Sequence, residues 1–492
     1  MENEMNGSAV SQKVVTRFAP SPTGFMHIGG IRTALFAFLW ARKNMGQFIL
    51  RIEDTDKDRE VIGSIEHIQE ALSWLGINWD LGPDKPGPFG SCIQSERLET
   101  YKEFAQKLIA KGLAYPDPFT QAELETLRKE AEENKQPFLY RNHRPDKFGV
   151  WDGTKPLRFK VPEVKRYHWH DAVRGDLEAG EEALDDFVLI KSDGYPTYNF
   201  AHIVDDFVMG VTHIFRGDEF ISSTPRFLSL YEALEIKPPV FVTLPPILRE
   251  DHTKKLGKRD GAKDVLEYRN EGYLPEALTN ILALIGWNPG TDRELFTLDE
   301  LIKNFSIEKV QRAGGSFNDV KLAWFNHQYI AKLSPDDFAE RSSTFLPEWL
   351  SSTSPLFSRC IPVIIERLNK ISDVSSMFEQ GGELHFVKEL SAYKPESLLW
   401  KKEPNVESAI MHLKKCAELI SSLGEAGFNT VGIHNTLIAY AETVGKGNVL
   451  WPLRMALTGQ ERSPDPFVSA FILGKEESLR RIQYAIDKLS KK

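Results

Sequence analysis

Two stretches of the chain gather residue types suited to handling phosphate. The first is Arg17-Phe18-Ala19-Pro20-Ser21-Pro22-Thr23-Gly24-Phe25-Met26-His27-Ile28-Gly29-Gly30. A helix opening at Gly29-Gly30 offers unpaired backbone N–H groups and a partial positive charge to an anion. The glycines let a phosphate or nucleobase approach the backbone closely. His27, just before them, is placed to donate to phosphate oxygens as charge builds up. The second stretch, Lys254-Lys255-Leu256-Gly257-Lys258-Arg259-Asp260-Gly261-Ala262-Lys263, holds five bases and one acid. Gly257 and Gly261 are expected to give it the freedom of a closing loop. Its lysines suit the charge of a departing pyrophosphate. Each stretch alone also has a plain reading: a tight turn with a surface histidine, and a solvated basic loop.

The elements that must position these residues follow from the hydrophobic pattern. Lys13 to Ala19 reads as a strand that breaks at the two prolines and Gly24. From Gly30 to Asn44 the spacing of Ile31, Ala34, Leu35, Phe38 and Leu39 predicts a helix. Gly46 is placed to end it. Gln47 to Ile52 reads as a second strand, finishing at Glu53-Asp54-Thr55-Asp56. A strand, loop, helix and strand in this order form a right-handed crossover in a parallel sheet. Ligands sit beyond the carboxyl ends of such strands, where both polar clusters fall. Helices are predicted over 61–75, 95–112 and 121–134. The stretch 115–186, with its His168-Trp169-His170 alternation, reads as an insertion interrupting the sheet. Strands resume at 187–190, 211–215 and 240–244, and helical periodicity dominates beyond 265.

The chain has 492 residues and a formal net charge of −9. At about 150 residues per domain, that length implies about three domains. The acidic total weighs against a nucleic-acid partner only if charge is uniform, and it is not. Residues 401–492 carry 13 Lys+Arg against 10 Asp+Glu, so the rest of the chain holds the acidic excess. Cys92, Cys360 and Cys416 are too few and too scattered for a disulfide framework or a thiolate zinc site. No apolar run approaches the roughly 20 residues that span a bilayer. Residues 1–12 lack an apolar signal core and read as a disordered tail on a cytoplasmic protein.

Taken together, His27-Ile28-Gly29-Gly30 and Lys255-Leu256-Gly257-Lys258-Arg259 resemble the HIGH-type and KMSKS-type signatures of class I aminoacyl-tRNA synthetases. Six blocks in order resemble the bacterial-type glutamyl-tRNA synthetases of that family. They are residues 17–32, Arg51 to Asp56, Ser192 to Tyr198, Val204-Asp205-Asp206, Arg216 to Glu219, and Gly272 to Ala277. The Ser-Pro-Thr-Gly wording of the first block is that of the bacterial and organellar branch.

The resemblance implies an α/β multidomain fold. Its catalytic domain is Rossmann-type, split as 13–114 and 187–251 around an acceptor-binding insertion at 115–186. A stem-contact region over 252–325 and an α-helical anticodon-binding region over 326–492 complete it. The implied reaction joins glutamate to ATP as glutamyl-adenylate, then transfers the glutamyl group to the 3′ end of tRNA(Glu). ATP enters with Mg²⁺, and a monomer is expected. Nucleotide contacts are implied at Ala19, Ser21, His27, Gly29, Gly30, Glu219, Lys255, Lys258 and Arg259, with His27 and Lys258 in catalytic roles. Glutamate contacts are implied at Arg17, Ala19, Ser21, Glu53, Tyr198, His202 and Arg216. Two arginines for carboxylates and an acid for the amine also suit glutamate on physical grounds. A salt bridge from Arg216 to Asp218 or Glu219 is the structural alternative.

Three departures from the family pattern stand out. His202 stands where many members have Asn, and Gly257 replaces the central Ser of the lysine motif. Where some relatives hold zinc through cysteines, this chain has Asp117, Phe119 and His143, so no structural zinc is expected. The rivals are a form that also charges tRNA(Gln), a tRNA-modifying paralogue lacking the anticodon-binding part, and a catalytically dead RNA-binding or regulatory homologue. The paralogue reading leaves the long helical region after residue 325 unexplained.

Overall fold

The computed structural model describes residues 13–251, 254–256, 263–402 and 404–491. The expected tail at 1–12 and six residues of the basic stretch, 257–262, with Gly257, Lys258, Arg259 and Gly261 among them, lie outside the described residues.

The first apolar run forms β1 (Val15–Phe18), buried along its whole length. It leads through the double-proline turn to α1 (Ile28–Lys43), whose buried face carries Ile31, Ala34, Leu35, Phe38 and Leu39 as the spacing predicts. β2 (Gln47–Leu50) then returns parallel to β1, with Arg17 opposite Ile49. The predicted helices follow as α2 (Ser64–Trp74), α3 (Leu98–Ala110) and, after β3 (Ala114–Pro116), α4 (Gln121–Glu133). α4 starts at a reciprocal cap between Thr120 and Glu123.

The stretch 115–186 contains more of the main sheet than its texture suggests. After β4 (Leu157–Phe159) come β5 (Tyr167–Asp171) and β6 (Gly175–Ala179). These are followed by β7 (Val188–Ile190), α5 (Tyr198–Val208), β8 (His213–Gly217), α6 (Thr224–Leu234) and β9 (Val240–Leu244). The main sheet runs β2-β1-β8-β9-β5-β6. All neighbours are parallel except the β5–β6 hairpin at the edge. The reading of 187–190 as a return to that sheet is corrected here, because β7 pairs with β4 in a separate antiparallel sheet, β3-β4-β7. What fastens β5 is the buried Asp171. Its Oδ1 accepts from the backbone N–H groups of Val173, Arg174 and Thr243 at 3.0, 3.0 and 3.2 Å. His168 and His170 point outward from β5 and face Glu178 and Asp176 across the hairpin.

A short parallel pair, β10 (Ile247–Leu248) with β11 (Gly315–Ser316), follows. The helices α7 (Val265–Asn270), α8 (Pro275–Leu284), α9 (Leu298–Asn304) and α10 (Asp319–Ile330) are the next in the chain. One compact unit comprises residues up to 269 together with 275–322, and a second comprises 270–274 and 323–491 of the described chain. The second unit continues with α11 (Pro335–Ser342), α12 (Pro355–Ile365), α13 (Val374–Phe378), α14 (Val406–Ser422), α15 (Thr430–Val444), α16 (Lys446–Thr458), α17 (Pro466–Leu473) and α18 (Lys475–Ser490). Leu413, Cys416, Leu437, Leu453 and Ile482 form part of its apolar core. Arg481 crosses that core, donating to the carbonyls of Phe386 and Leu457 at 2.9 and 2.7 Å. All three cysteines are free and buried.

Candidate active site

The carboxyl ends of β1, β2 and β8 lie side by side and converge with the first turns of α5. Arg17 is the third residue of β1, Arg51 and Glu53 follow β2, and Arg216 is the fourth residue of β8. Their register follows from the parallel pairing, which sets the ends of adjacent strands level. The loop after β1 is tied in by the Glu53 N–H, which donates to the Pro20 carbonyl at 3.0 Å. Ala19 and Ser21 flank that tie.

At these strand ends lies a buried network of charge. Asp206 of α5 accepts from Arg17 Nε at 3.1 Å and from Arg51 Nη1 at 2.7 Å. Arg51 also donates to Glu53 at 3.0 Å. Asp205, fully buried, accepts from Arg97 at 2.9 Å, and from Gln94 and Tyr101 at 2.8 Å each. Burial alone would raise the Asp206 carboxyl, but Arg17 and Arg51 hold it down at about 2. Burial likewise opposes the charge on Arg51, and Asp206, Glu53 and Asp205 outweigh it. For Glu53 burial dominates over Arg51, and its carboxyl titrates above its ordinary value. Glu53 uses one oxygen on Arg51; no hydrogen bond among the described residues engages the other.

Arg216 is different. It is 6% exposed, yet it forms no ion pair among the described residues. The alternative pairings fail, because Asp218 faces Arg174 at 3.9 Å and Glu219 faces Lys255 at 2.9 Å. Arg216 donates one N–H to Thr224 Oγ1 at 2.7 Å, lies over the Phe241 ring at 4.4 Å, and leaves its Nε–H without a partner. Burial lowers its pKa. A buried cation with no paired counter-ion is costly, and Asp171 offsets that cost only through space.

Tyr198 and His202 form one wall. Their rings stack at 4.6 Å, and Phe227 packs edge-on against His202 at 4.6 Å. The His202 Nδ1–H donates to the Tyr198 carbonyl at 2.7 Å. Burial pushes the imidazole down to about 3, so it is neutral with Nε2 as an acceptor.

Further along the loop after β1, His27 caps α1. Its Nδ1 accepts from the Gly29 N–H at 3.1 Å. An imidazole that accepts at Nδ1 carries its ring proton on Nε2. The sequence reading gives both glycine N–H groups to an anion; here Gly29 uses its own on His27, and Gly30 is the one left to that role. Glu219 and Lys255 meet on the exposed rim. Lys258 and Arg259 lie outside the described residues.

The structure therefore brings Arg17, Glu53, Tyr198, His202 and Arg216 together, but it gives the Arg17 fork to Asp206. Arg51, Arg97, Asp205, Asp206 and Thr224 are the residues that the sequence reading leaves unassigned. The available signal was Asp205-Asp206, two adjacent acids on a helix otherwise rich in apolar residues. In the 115–186 stretch, Asp117 binds Arg158 at 2.6 Å and also the Tyr140 hydroxyl, while His143 stacks on Phe138 at 5.3 Å.

Comparison with known proteins adds to this geometry. The family described as tRNA synthetases class I (E and Q), catalytic domain, matches residues 13–324, and an anticodon binding domain matches 337–486. A glutamate–tRNA ligase of Clostridium botulinum is 40% identical over 98% of this chain and 99% of its own length. One from Clostridium acetobutylicum is 38% identical over 98% of this chain and 100% of its own. The crystal structure of a glutamate–tRNA ligase from Elizabethkingia meningosepticum in complex with its amino acid has a TM-score of 0.82. It is 34% identical, over 97% of this chain and all of that one.

Proposed function

The chain belongs to the class I tRNA synthetases of the glutamate and glutamine group, and from that premise we propose the reaction its site performs. It is an ATP-dependent glutamate–tRNA ligase. A glutamate carboxylate oxygen attacks the α-phosphorus of ATP, the bond to pyrophosphate breaks, and glutamyl-adenylate forms. The ribose hydroxyl at the 3′ end of tRNA(Glu) then takes the glutamyl group and AMP leaves. No protein nucleophile is required, so the residues act by positioning and by stabilising charge.

The observation that carries this reading is Arg216: it is buried, forms no ion pair among the described residues and leaves its Nε–H unpartnered, with the buried Asp171 acting on it only through space. Glutamate at neutral pH carries two carboxylates and one ammonium, a net charge of about −1 by the ordinary values of those groups. On this reading Arg216 takes the side-chain carboxylate, the open oxygen of Glu53 accepts from the ammonium, and Tyr198 and His202 wall the cavity. Arg17 acts through its hold on Asp206 as well as by its charge. His27 donates Nε2–H to phosphate, Gly30 offers its N–H, and Lys255 with Lys258 and Arg259 meets the β- and γ-phosphates of the Mg²⁺–ATP substrate.

The same reading assigns the acceptor end to 115–186, the stem to 252–325 and the anticodon to 326–492, in a cytoplasmic monomer. The anticodon-domain match over 337–486 favours it over a tRNA-modifying paralogue. Glutamate-dependent ATP–pyrophosphate exchange is expected only when tRNA(Glu) is added. Exchange without any tRNA supports the paralogue, and none in either case overturns the reading. Charging of purified tRNA(Glu) but not tRNA(Gln) is the companion result.

The cap at α1 gives a sharper test. A Cβ on Gly29 would come within 2.9 Å of His27 Cε1 and 3.1 Å of Nδ1, so Gly29→Ala must push the ring aside. Losing the cap costs about 1 kcal/mol, and alanine in place of helical glycine returns about as much. The variant should melt within about 3 °C of the parent, while exchange falls about 10- to 100-fold from the misplaced imidazole. Unchanged exchange removes His27 from the phosphate site.

A further inference from the structure

Asp264 stands just past the basic stretch, at the start of α7. It caps that helix, with the Leu266 N–H donating to Oδ1 at 3.0 Å. Its backbone pairs antiparallel with that of His27, and the next N–H, on Val265, donates to the Met26 carbonyl at 2.9 Å. The chain leaving the basic stretch is thus stitched to the residue that caps α1.

A cap needs only one side-chain oxygen, and Ser, Thr or Asn would serve. Asp264 brings a second, and His67 on the first turn of α2 uses it. His67 Nε2 lies 2.8 Å from both carboxylate oxygens. The imidazole is fixed further by the Phe25 ring, centroids 4.6 Å apart, and its Nδ1 is buried without a hydrogen-bond partner. One turn earlier on the same helix Ser64 Oγ donates to the Gly24 carbonyl at 3.0 Å. The start of α2 therefore grips the Gly24–His27 segment from one side and Asp264 from the other.

We infer that His67 is a positioning residue for ATP: through Asp264 it holds the backbone of His27 in the register that aims Nε2–H at phosphate. This rests on the assignment of the nucleotide to His27. The mechanism predicts a selective effect. Glutamate meets Arg216, Glu53 and Tyr198, none of which contacts His67 or Asp264, so only the nucleotide half of the site should loosen.

The test uses the full-length protein and three variants. Asp264→Ser keeps a capping hydroxyl on α7 but gives nothing comparable to His67. His67→Ala removes the grip from the other side, and His67→Gln restores a donor of similar reach. ATP binding alone is measured by titration calorimetry, with KM for ATP and glutamate from exchange and the melting temperature for each protein. Asp264→Ser and His67→Ala should each weaken ATP binding about tenfold. Glutamate KM should stay within twofold, the melting temperature should hold, and His67→Gln should recover part of the loss. Where His67→Ala loses its fold, Asp264→Ser decides. ATP affinity equal to that of the parent overturns the inference, as does a parallel loss for both substrates with a lowered melting temperature. A parent that binds no ATP instead removes the assignment of the nucleotide site itself.

Discussion

Arg216→Gln should abolish glutamate activation while leaving the free protein as stable as before or more so. Glutamine matches much of the stem but has no charge for the substrate carboxylate. Breaking a buried charged pair by removing one partner costs about 3–5 kcal/mol, which is about 150- to 5,000-fold in kcat/KM for glutamate. ATP binding, measured alone by calorimetry, should be unchanged, because Arg216 lies beside Thr224 and Phe241, away from the His27 cap. Stability runs the other way. Without ligand, the parent buries a guanidinium whose Nε–H has no partner, a cost the neutral side chain largely removes. A melting temperature equal to or above the parent's, with activation lost, is the expected pair of results. Normal glutamate dependence would take Arg216 out of the site.

Asp206→Asn should unfold the site from within. Its carboxylate neutralises Arg17 and Arg51 at once; Arg51 keeps Glu53 at 3.0 Å, but Arg17 has no other ion pair among the described residues. The loss is about 3–5 kcal/mol. At about 2 °C per kcal/mol for a large unit, the transition of the N-terminal unit should fall about 6–10 °C. The pH dependence identifies the cause. Because Arg17 and Arg51 hold the folded carboxyl at about 2, below its ordinary value near 4, the stabilisation is complete above pH 4. It drains away as the pH falls from 4 through 2. Urea unfolding should therefore separate parent and variant widely at pH 5–7, and the two curves should converge toward pH 2. A constant gap across that range would assign the loss to packing instead.

Much of this was legible in the chain. The β1–α1–β2 crossover is written in Ile31, Ala34, Leu35, Phe38 and Leu39, whose spacing admits one buried face. The residues proposed for phosphate fall in two compact motifs, and local motifs are where sequence speaks most clearly. What stayed hidden was pairing at a distance. Nothing near Arg17 indicates that its fork belongs to Asp206, and nothing near His67 indicates Asp264. β5 was half legible: the alternation of His168 and His170 marks one face of a strand, but its place in the main sheet depends on Tyr167 and Trp169 packing on the core and on Asp171 accepting from the Thr243 N–H, a distant contact. β7 has an apolar strand's composition, but composition does not say which sheet a strand joins, and β4 was the partner available.

The order of the main sheet sets a timetable for the making of the protein. β1 lies between β2, made soon after it, and β8, and the Arg17–Asp206 contact spans 189 positions. At about 5–20 residues per second, a ribosome needs about 10–40 s to add that span. Throughout that interval Arg17, Arg51 and Glu53 exist without the helix that balances them, and the β1 edge toward β8 is open. Until α5 and β8 have been made and have cleared the ribosome, the β1 edge toward β8 has no partner, and a pause in synthesis before that point would lengthen the time it stands exposed to other chains.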